Sequence, residues 1–353
     1  MTAVFDLVVI GFAIYLLTLV ANHFFMTSLD GIAARLKLSP SVAGATLMAA
    51  GSSAPELAIA MVALFTQGGT HSDIGIGTIV GSAVFNILVI TGVCAVIRTA
   101  HITLKAIIRD TGFYLAGIGV MLYVFIDGEI TPLEPLLLVG AYGIYLIAVF
   151  RFPGDSFEVY EHGPEETPLI ETRWKTILLW RMVNRTVKQT VGLITGDPGQ
   201  HYIRAFLASI AIIIVLSKLL VDHAVSLSQI MGLPPVVIGL TVLAAGTSAP
   251  DLIASMIAVR RGHGDMAVAN AIGSNTFDIL IGLGLPWLVA LGFTGRSVIP
   301  VGTSNLLESV FILIGTVLVL FGFLAVNRQL GRKAGITLLM IYAGYVAWIV
   351  AGQ

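Results

Sequence analysis

Ten stretches of this chain each run for roughly 20 residues with almost no charge, the length of helix needed to cross the hydrocarbon of a bilayer. They cover about residues 4–27, 42–64, 74–97, 106–126, 133–150, 204–221, 235–258, 266–291, 307–326 and 334–351. Composition agrees, since 57% of the 353 residues are hydrophobic and 11% charged, against about 45–50% and about 25% in soluble domains. The mean hydropathy is +0.95. The expected fold class is an all-α polytopic membrane protein of about ten transmembrane helices, with the lipid bilayer as its surroundings. The first apolar run has neither a long basic region nor a small-residue cleavage site before it, so it reads as a retained span rather than a removable signal. Cys94 is the single cysteine and sits in an apolar stretch, so no intrachain disulfide is expected. A net charge of −1 points to no nucleic acid or other charged partner.

Lys and Arg concentrate in cytoplasmic loops of membrane proteins, and here they fall in alternate loops. Arg35 and Lys37 are in the first, Arg98, Lys105 and Arg109 in the third, Arg151 through Arg204 in the fifth, Arg260 and Arg261 in the seventh, and Arg328, Arg332 and Lys333 in the ninth. Only Lys218 and Arg296 fall elsewhere; even-numbered loops hold His71 and Asp73, or Asp127, Glu129 and Glu134. This pattern predicts both termini outside, five spans in residues 1–150, a cytoplasmic linker over 151–203 and five spans in 204–353. The linker carries an acidic stretch (Glu158, Glu161, Glu165, Glu166, Glu171) and then a basic one (Arg173, Lys175, Arg181, Arg185, Lys188). It reads as a solvated connector whose segment Trp174–Ile194 can lie as an amphipathic helix on the membrane surface.

The two halves share a motif. Gly44-Ala-Thr-Leu-Met-Ala-Ala-Gly-Ser-Ser-Ala-Pro-Glu-Leu57 recurs as Gly239-Leu-Thr-Val-Leu-Ala-Ala-Gly-Thr-Ser-Ala-Pro-Asp-Leu252, and Gly81-Ser-Ala-Val-Phe-Asn-Ile-Leu88 as Gly273-Ser-Asn-Thr-Phe-Asp-Ile-Leu280. With the loop charges above, the first copy opens from the cytoplasm outward and the second runs the other way, giving two inverted five-helix repeats. Inverted repeats put a binding site near the bilayer midplane at their interface. Gly51 with Pro55 and Gly246 with Pro250 are positioned to break their helices there and free backbone carbonyls, which at such depth are tolerated only where something binds or packs.

A carboxylate at membrane depth costs at least about 2.5 kcal/mol, yet Glu56 and Asp251 occupy equivalent positions in the breaks and Asp278 lies in the second block. The bland explanation is pairing with a buried cation of the chain, but no Lys or Arg lies within these four spans, so a bound cation is the expected partner. Glu56, Asp251, Asp278, Asn86, Ser52, Ser53, Thr247 and Ser248 offer chiefly oxygen. An oxygen cage suits Ca2+, which takes about 6–8 oxygens in flexible geometry, better than Mg2+, which keeps its waters, and Na+ or K+ can share it. Zn2+ and copper would want His or Cys, and neither is embedded beside these acids.

These residues resemble the Ca2+/cation antiporters, whose two repeats carry Gly-Ser/Thr-Ser-x-Pro-Glu/Asp and Gly-Ser-x-x-x-Asn/Asp blocks. Gly262-His-Gly-Asp-Met-Ala-Val together with Gly273-Ser-Asn-Thr-Phe-Asp278 looks like the K+-dependent Na+/Ca2+ exchanger branch. The resemblance implies ion ligation by Glu56, Asn86, Asp251 and Asp278, by the hydroxyls of Ser52, Ser53, Thr247, Ser248, Ser82 and Ser274, and by the carbonyls of Ala49 and Ala244. It implies a transporter rather than an enzyme, with no cofactor and with Ca2+, Na+ and, through the branch, K+ as cargo, in a plasma or inner membrane. The larger central loops of many relatives have no counterpart here, so their regulation is not carried over.

Three rival readings draw on the same residues. Gly262-His-Gly-Asp265 matches the Gly-x-Gly-Asp string of intramembrane aspartyl proteases, but Asp265 follows Arg260 and Arg261 at a cytoplasmic end and reads better as a helix-start cap. A cation channel could use the same acids and carbonyls, though inverted repeats favour a carrier. H+/Ca2+ exchange is the alternative within carriers, since a carboxyl such as Glu56 in a low-dielectric site can titrate near neutral pH. His71, His101, His162, His201, His223 and His263 are expected to be solvated, His23 to be packed at the end of the first span, and Phe85 and Phe277 to be core.

Overall fold

The described residues of all ten apolar stretches are largely helical, because a chain in hydrocarbon must satisfy its backbone within the segment. The computed structural model describes residues 2–38, 44–66, 72–101, 104–151, 178–261, 264–301, 304–327 and 329–352. Among them are seven helices long and apolar enough to span, or nine when each of two bent pairs counts as one, with a further apolar helix at Thr111–Phe125. The protein is an all-α polytopic membrane protein.

Helix α1 covers Ala3–Arg35 and starts under a Thr2 cap whose hydroxyl accepts from the Phe5 N–H. Its 33 residues reach about 50 Å at 1.5 Å per residue. The helix continues well past the expected end near residue 27, so Arg35 closes a helix rather than lying in a loop. Next come α2 (Thr46–Ser52) and α3 (Ala54–Phe65), which meet at 64°. Helices α4 (Ser72–Ile97), α5 (Leu104–Phe125) and α6 (Leu133–Arg151) complete the first half. After α7 (Leu178–Thr195), the second half repeats the series. It has α8 (Tyr202–Met231), then α9 (Pro235–Thr247) and α10 (Ala249–Arg261) bent by 42°. Helix α11 runs through Gly264–Phe277, Asp278–Leu283 and Gly284–Thr294, and α12 (Ser304–Asn327) and α13 (Arg332–Ala351) follow.

Both bends have the same chemical cause. Pro55 and Pro250 lack the N–H that would bond the Gly51 and Gly246 carbonyls four residues earlier. The glycines also let α1 press against the breaks. A Cβ at Gly51 would lie 2.1 Å from Met26 Sδ, and one at Gly246 would lie 2.2 Å from Ile14 Cδ1.

Helices α1 and α8 pair antiparallel along their length. Phe25 stacks on Phe206 at 5.4 Å, Gly31 abuts Tyr202, and near the other end Asp6 meets His223. Helix α7 packs against them. Tyr15 donates its hydroxyl to Asn184 Oδ1 at 3.0 Å, and Arg204 donates to the Leu193 and Ile194 carbonyls that α7 leaves free at its C-terminus.

The core is built where α4 and α11 cross α9, α5 and α6. Phe85 meets Tyr342 of α13 edge-to-face at 5.6 Å, and Phe277 meets Tyr142 of α6 likewise at 5.5 Å, so both phenylalanines pack as expected. Two antiparallel strand pairs fasten loops of one half to loops of the other. Ala100–His101 pairs with Gln329–Leu330, and Glu129–Ile130 pairs with Ile299–Pro300. Each clip joins two loops of the same parity, the third with the ninth and the fourth with the eighth, as loops on one side of a membrane must be.

Two histidines differ from expectation. His23 is exposed, its ring edge-on to Phe24, because a π-helical stretch at Ala21–Phe25 turns it away from the α1–α8 seam. His223 is not solvated, since its side chain packs against Asp6 across that seam. His71, His162 and His263 and the acidic part of the linker lie outside the described residues, as does the Asp265 side chain, although Asp265 is the second residue of the helix starting at Gly264.

Candidate functional site

The bends set the positions of the acids. Glu56 is the third residue of α3 and Asp251 the third of α10, so each carboxyl stands in the first turn after a break, where unbonded N–H groups favour negative charge. The second pair is placed by π-helical turns, which widen a helix locally and often mark functional positions. Asn86 opens the π turn Asn86–Ile90 and Asp278 opens Asp278–Leu283.

Glu56 is 2% exposed, Asn86 1% and Asp278 1%, and Ser53, Ser82, Thr247, Ser248, Ser274 and Ala244 are buried with them. Ser52, Ala49 and Asp251 are half-buried. Asp251 is thus less secluded than its partner Glu56. The cause is local packing, since Ala249 and Pro250 just before it in α10 are half-buried too, whereas their equivalents Ala54 and Pro55 before Glu56 are buried.

Side chains of the two repeats meet here. Ser53 and Ser274 touch hydroxyl to hydroxyl at 3.3 Å. The Thr247 hydroxyl is a hydrogen-bond partner of the Glu56 carboxyl, the Ser53 hydroxyl is one of Asp278, and Glu56, Asp251 and Asp278 lie within electrostatic reach of one another. Four buried oxygens of the site have no partner among the described residues: Glu56 Oε2, Asn86 Oδ1, Asp278 Oδ1 and Ser248 Oγ. An unpaired buried acceptor costs about 1–3 kcal/mol, more when charged, so these atoms suit a ligand that brings positive charge. Among the described residues no three acidic, His or Cys side chains converge closely enough to hold an ion alone. The hydroxyl and amide oxygens are therefore part of any cage this chemistry can form.

Other members of the expected set are turned toward their own helices. Ser82 donates to the Ile79 carbonyl at 2.9 Å and Ser52 to the Ala49 carbonyl at 3.2 Å. Ala49 also accepts from the Ser53 N–H, and Ala244 accepts from the Ser248 N–H and the Thr247 hydroxyl. The Ala49 and Ala244 carbonyls thus hold local hydrogen bonds, and it is Gly51 and Gly246 whose helical partners the prolines remove.

Sequence reasoning missed Asn275 and Tyr114. Asn275 stands where the first repeat has Ala83, and its Oδ1 accepts from Asn86 Nδ2 at 2.8 Å. Its own Nδ2 donates to the Ala83 carbonyl at 3.0 Å and to the Tyr114 hydroxyl at 3.1 Å. The departure of Asn275 from Ala83 between otherwise matching blocks was the available signal. Asp6 was missed as well. It is a fully buried acid in the first span, held by His223 Nδ1 at 2.6 Å and the Ser226 hydroxyl at 2.9 Å.

The chain as a whole has relatives among known proteins. The chain is 27% identical to the sodium/potassium/calcium exchanger 4 of Mus musculus, over 95% of this chain and 79% of that protein. It is 30% identical to the putative antiporter CaxA of Alkalimonas amylolytica, over 91% of each. Its fold matches the crystal structure of the H+/Ca2+ exchanger CAX with a TM-score of 0.69 at 14% identity, covering 99% of this chain and 87% of that one. The sequence profile described as sodium/calcium exchanger protein matches residues 7–151 and 201–351, which take in both repeats and leave out the linker, and the chain belongs to that family.

Proposed function

We propose that the protein is a secondary antiporter that exchanges Ca2+ for Na+ by alternating access through the site between its repeats. The observation that carries the reading is the set of unpartnered buried oxygens on Glu56, Asn86 and Asp278, contributed by both halves. Ca2+ fits such a set because it accepts carboxylate, amide and hydroxyl oxygens in loose geometry, and Na+ competes for overlapping positions. Asp251 completes the charge, and Ser53, Thr247, Ser248 and Ser274 offer hydroxyls. Ser52, Ser82 and the Ala49 and Ala244 carbonyls join once their present hydrogen bonds are exchanged for the ion. An empty site leaves three carboxyls without a cation, which disfavours a switch of sides without cargo.

With both termini outside, as the Lys and Arg pattern reads, α2 and the C-terminal end of α10 lie toward the cytoplasm. Tags at Met1 and Gln353 that are protected in intact cells would reverse that orientation.

K+ as a co-substrate is supported by Asp278, a third carboxyl where the first repeat has the neutral Asn86. One Ca2+ and one K+ balance three negative charges. The likeness to a H+/Ca2+ exchanger favours a second reading, with H+ as counter-ion on the same acids. Ca2+ uptake into vesicles with Na+, K+ and pH gradients imposed one at a time separates these. Uptake driven by Na+ supports the proposal, uptake driven by a pH gradient alone replaces Na+ with H+, and uptake that needs no counter-gradient indicates a channel.

A further inference from the structure

We infer that Tyr114 is a positioning residue which, through Asn275, fixes the end of the Asn86 amide that faces the cation. The inference rests on the reading of Asn86 as a ligand. The Ala83 carbonyl can only accept a hydrogen bond, so the Asn275 atom 3.0 Å from it is the NH2 group. The second hydrogen of that group goes to the Tyr114 hydroxyl oxygen at 3.1 Å. Asn275 Oδ1 is left toward Asn86, and since it too only accepts, Asn86 must present Nδ2 to it, at 2.8 Å. Asn86 Oδ1 is thereby turned the other way, where it is buried and unpartnered. A flipped amide would put two N–H hydrogens where the oxygen stands and repel a cation.

The lock occurs where it is needed. Asn275 has no counterpart in the first repeat, which has Ala83 at that position. A carboxylate such as Asp278 has two equivalent oxygens and needs no orientation, whereas Asn86, its neutral equivalent, does. Tyr114 is fully buried on α5, outside both repeated motifs. Without its hydroxyl one Asn275 N–H is buried and unbonded, and the Asn275 amide that holds Asn86 is kept in place by the Ala83 carbonyl alone.

The test uses purified full-length protein in lipid vesicles, with Na+-driven uptake measured against Ca2+ concentration. Tyr114→Phe keeps the ring. It is expected to raise the half-saturating Ca2+ about three- to tenfold, the scale of one hydrogen bond, with the maximal rate largely retained. In an Asn86→Asp background, where either oxygen can face the ion, the same substitution is expected to add nothing. An equal rise in both backgrounds, or no rise in the wild type, overturns the inference. If Asn86→Asp does not transport, Asn86→Ala, which has no amide to orient, takes its place with equilibrium 45Ca2+ binding as the readout. If Tyr114→Phe does not insert, Asn275→Ala carries the same expectations. A wild type without Na+-driven uptake sinks the exchanger reading instead, and equilibrium Ca2+ binding to wild type and Tyr114→Phe still decides the positioning role.

Discussion

Ser53 and Ser274, one from each repeat, stand 3.3 Å apart, so two hydroxyls expected to ligate an ion are already in contact with each other. Ser53 is also a hydrogen-bond partner of Asp278. Ser53→Ala and Ser274→Ala should therefore be non-additive in their effect on Ca2+ affinity, with a coupling of about 0.5–3 kcal/mol as expected for side chains in one network. Half-saturating Ca2+ in the two single mutants and the double mutant measures it, and simple additivity would mean that the pair does not act together.

Glu56→Gln and Asp251→Asn remove a charge at nearly constant size. Na+-driven Ca2+ uptake should fall by about tenfold or more in each, equivalent to about 1.4 kcal/mol, with membrane insertion unchanged. Glu56 is the more secluded of the two and has an unpartnered oxygen, so its substitution should have the larger effect. Uptake at the wild-type rate in either mutant removes that residue from the site.

Asp278→Asn tests the third charge. With two carboxylates left, Ca2+ alone balances the site, and K+ should become dispensable. Coulomb attraction at about 4 Å is worth about 4 kcal/mol at an effective dielectric of 20, far above a packing adjustment. Flux measured with and without K+ in both proteins decides it. K+ dependence that survives in the mutant places the K+ determinant elsewhere.

The Asp6–His223 pair should be a stability element. The Asp6 carboxylate is held by His223 and Ser226, and removing the imidazole leaves it without its nearest partner. His223→Ala should lower the thermal unfolding temperature in detergent more than Asp6→Asn does, since the amide carries no charge to strand. Equal and small shifts would show that the pair contributes little.

These predictions also mark what could be read in the sequence. Helix class, span positions and the acids on the breaks were legible, because hydrophobic runs, prolines and repeated motifs are local signals. The partners were not. Asp6 and His223 are joined only when α1 and α8 pack side by side, and a histidine near a helix end looks solvated until its neighbour is known. Asn275 and Tyr114 are joined to Asn86 by contacts between three helices, and no spacing rule anticipates those. Asp6 escaped for a further reason: it lies three residues into the first apolar run, where a charged residue passes for a helix-start residue rather than a buried one.

Glycine positions give the sharpest steric contrast. A Cβ at Gly81 would lie 2.4 Å from the Leu240 carbonyl oxygen and 2.7 Å from the Leu240 Cα, which are backbone atoms that cannot step aside. At Gly51 the nearest atom is the thioether of Met26, the movable end of a flexible side chain. Gly81→Ala should therefore reduce the yield of folded protein in size-exclusion profiles much more than Gly51→Ala. Equal losses would argue against a tight crossing of α4 and α9.

The strand clips bear on how the chain is assembled. Each pair is only two residues long, too short to persist unless the helices on either side already hold it in place. Ala100–His101 leaves the ribosome long before its partner Gln329–Leu330. The first half must therefore wait in the bilayer with that backbone unpaired until the second half has been made. Closing the clip therefore follows insertion of the first half, and a chain stopped before residue 329 lacks both that latch and α13.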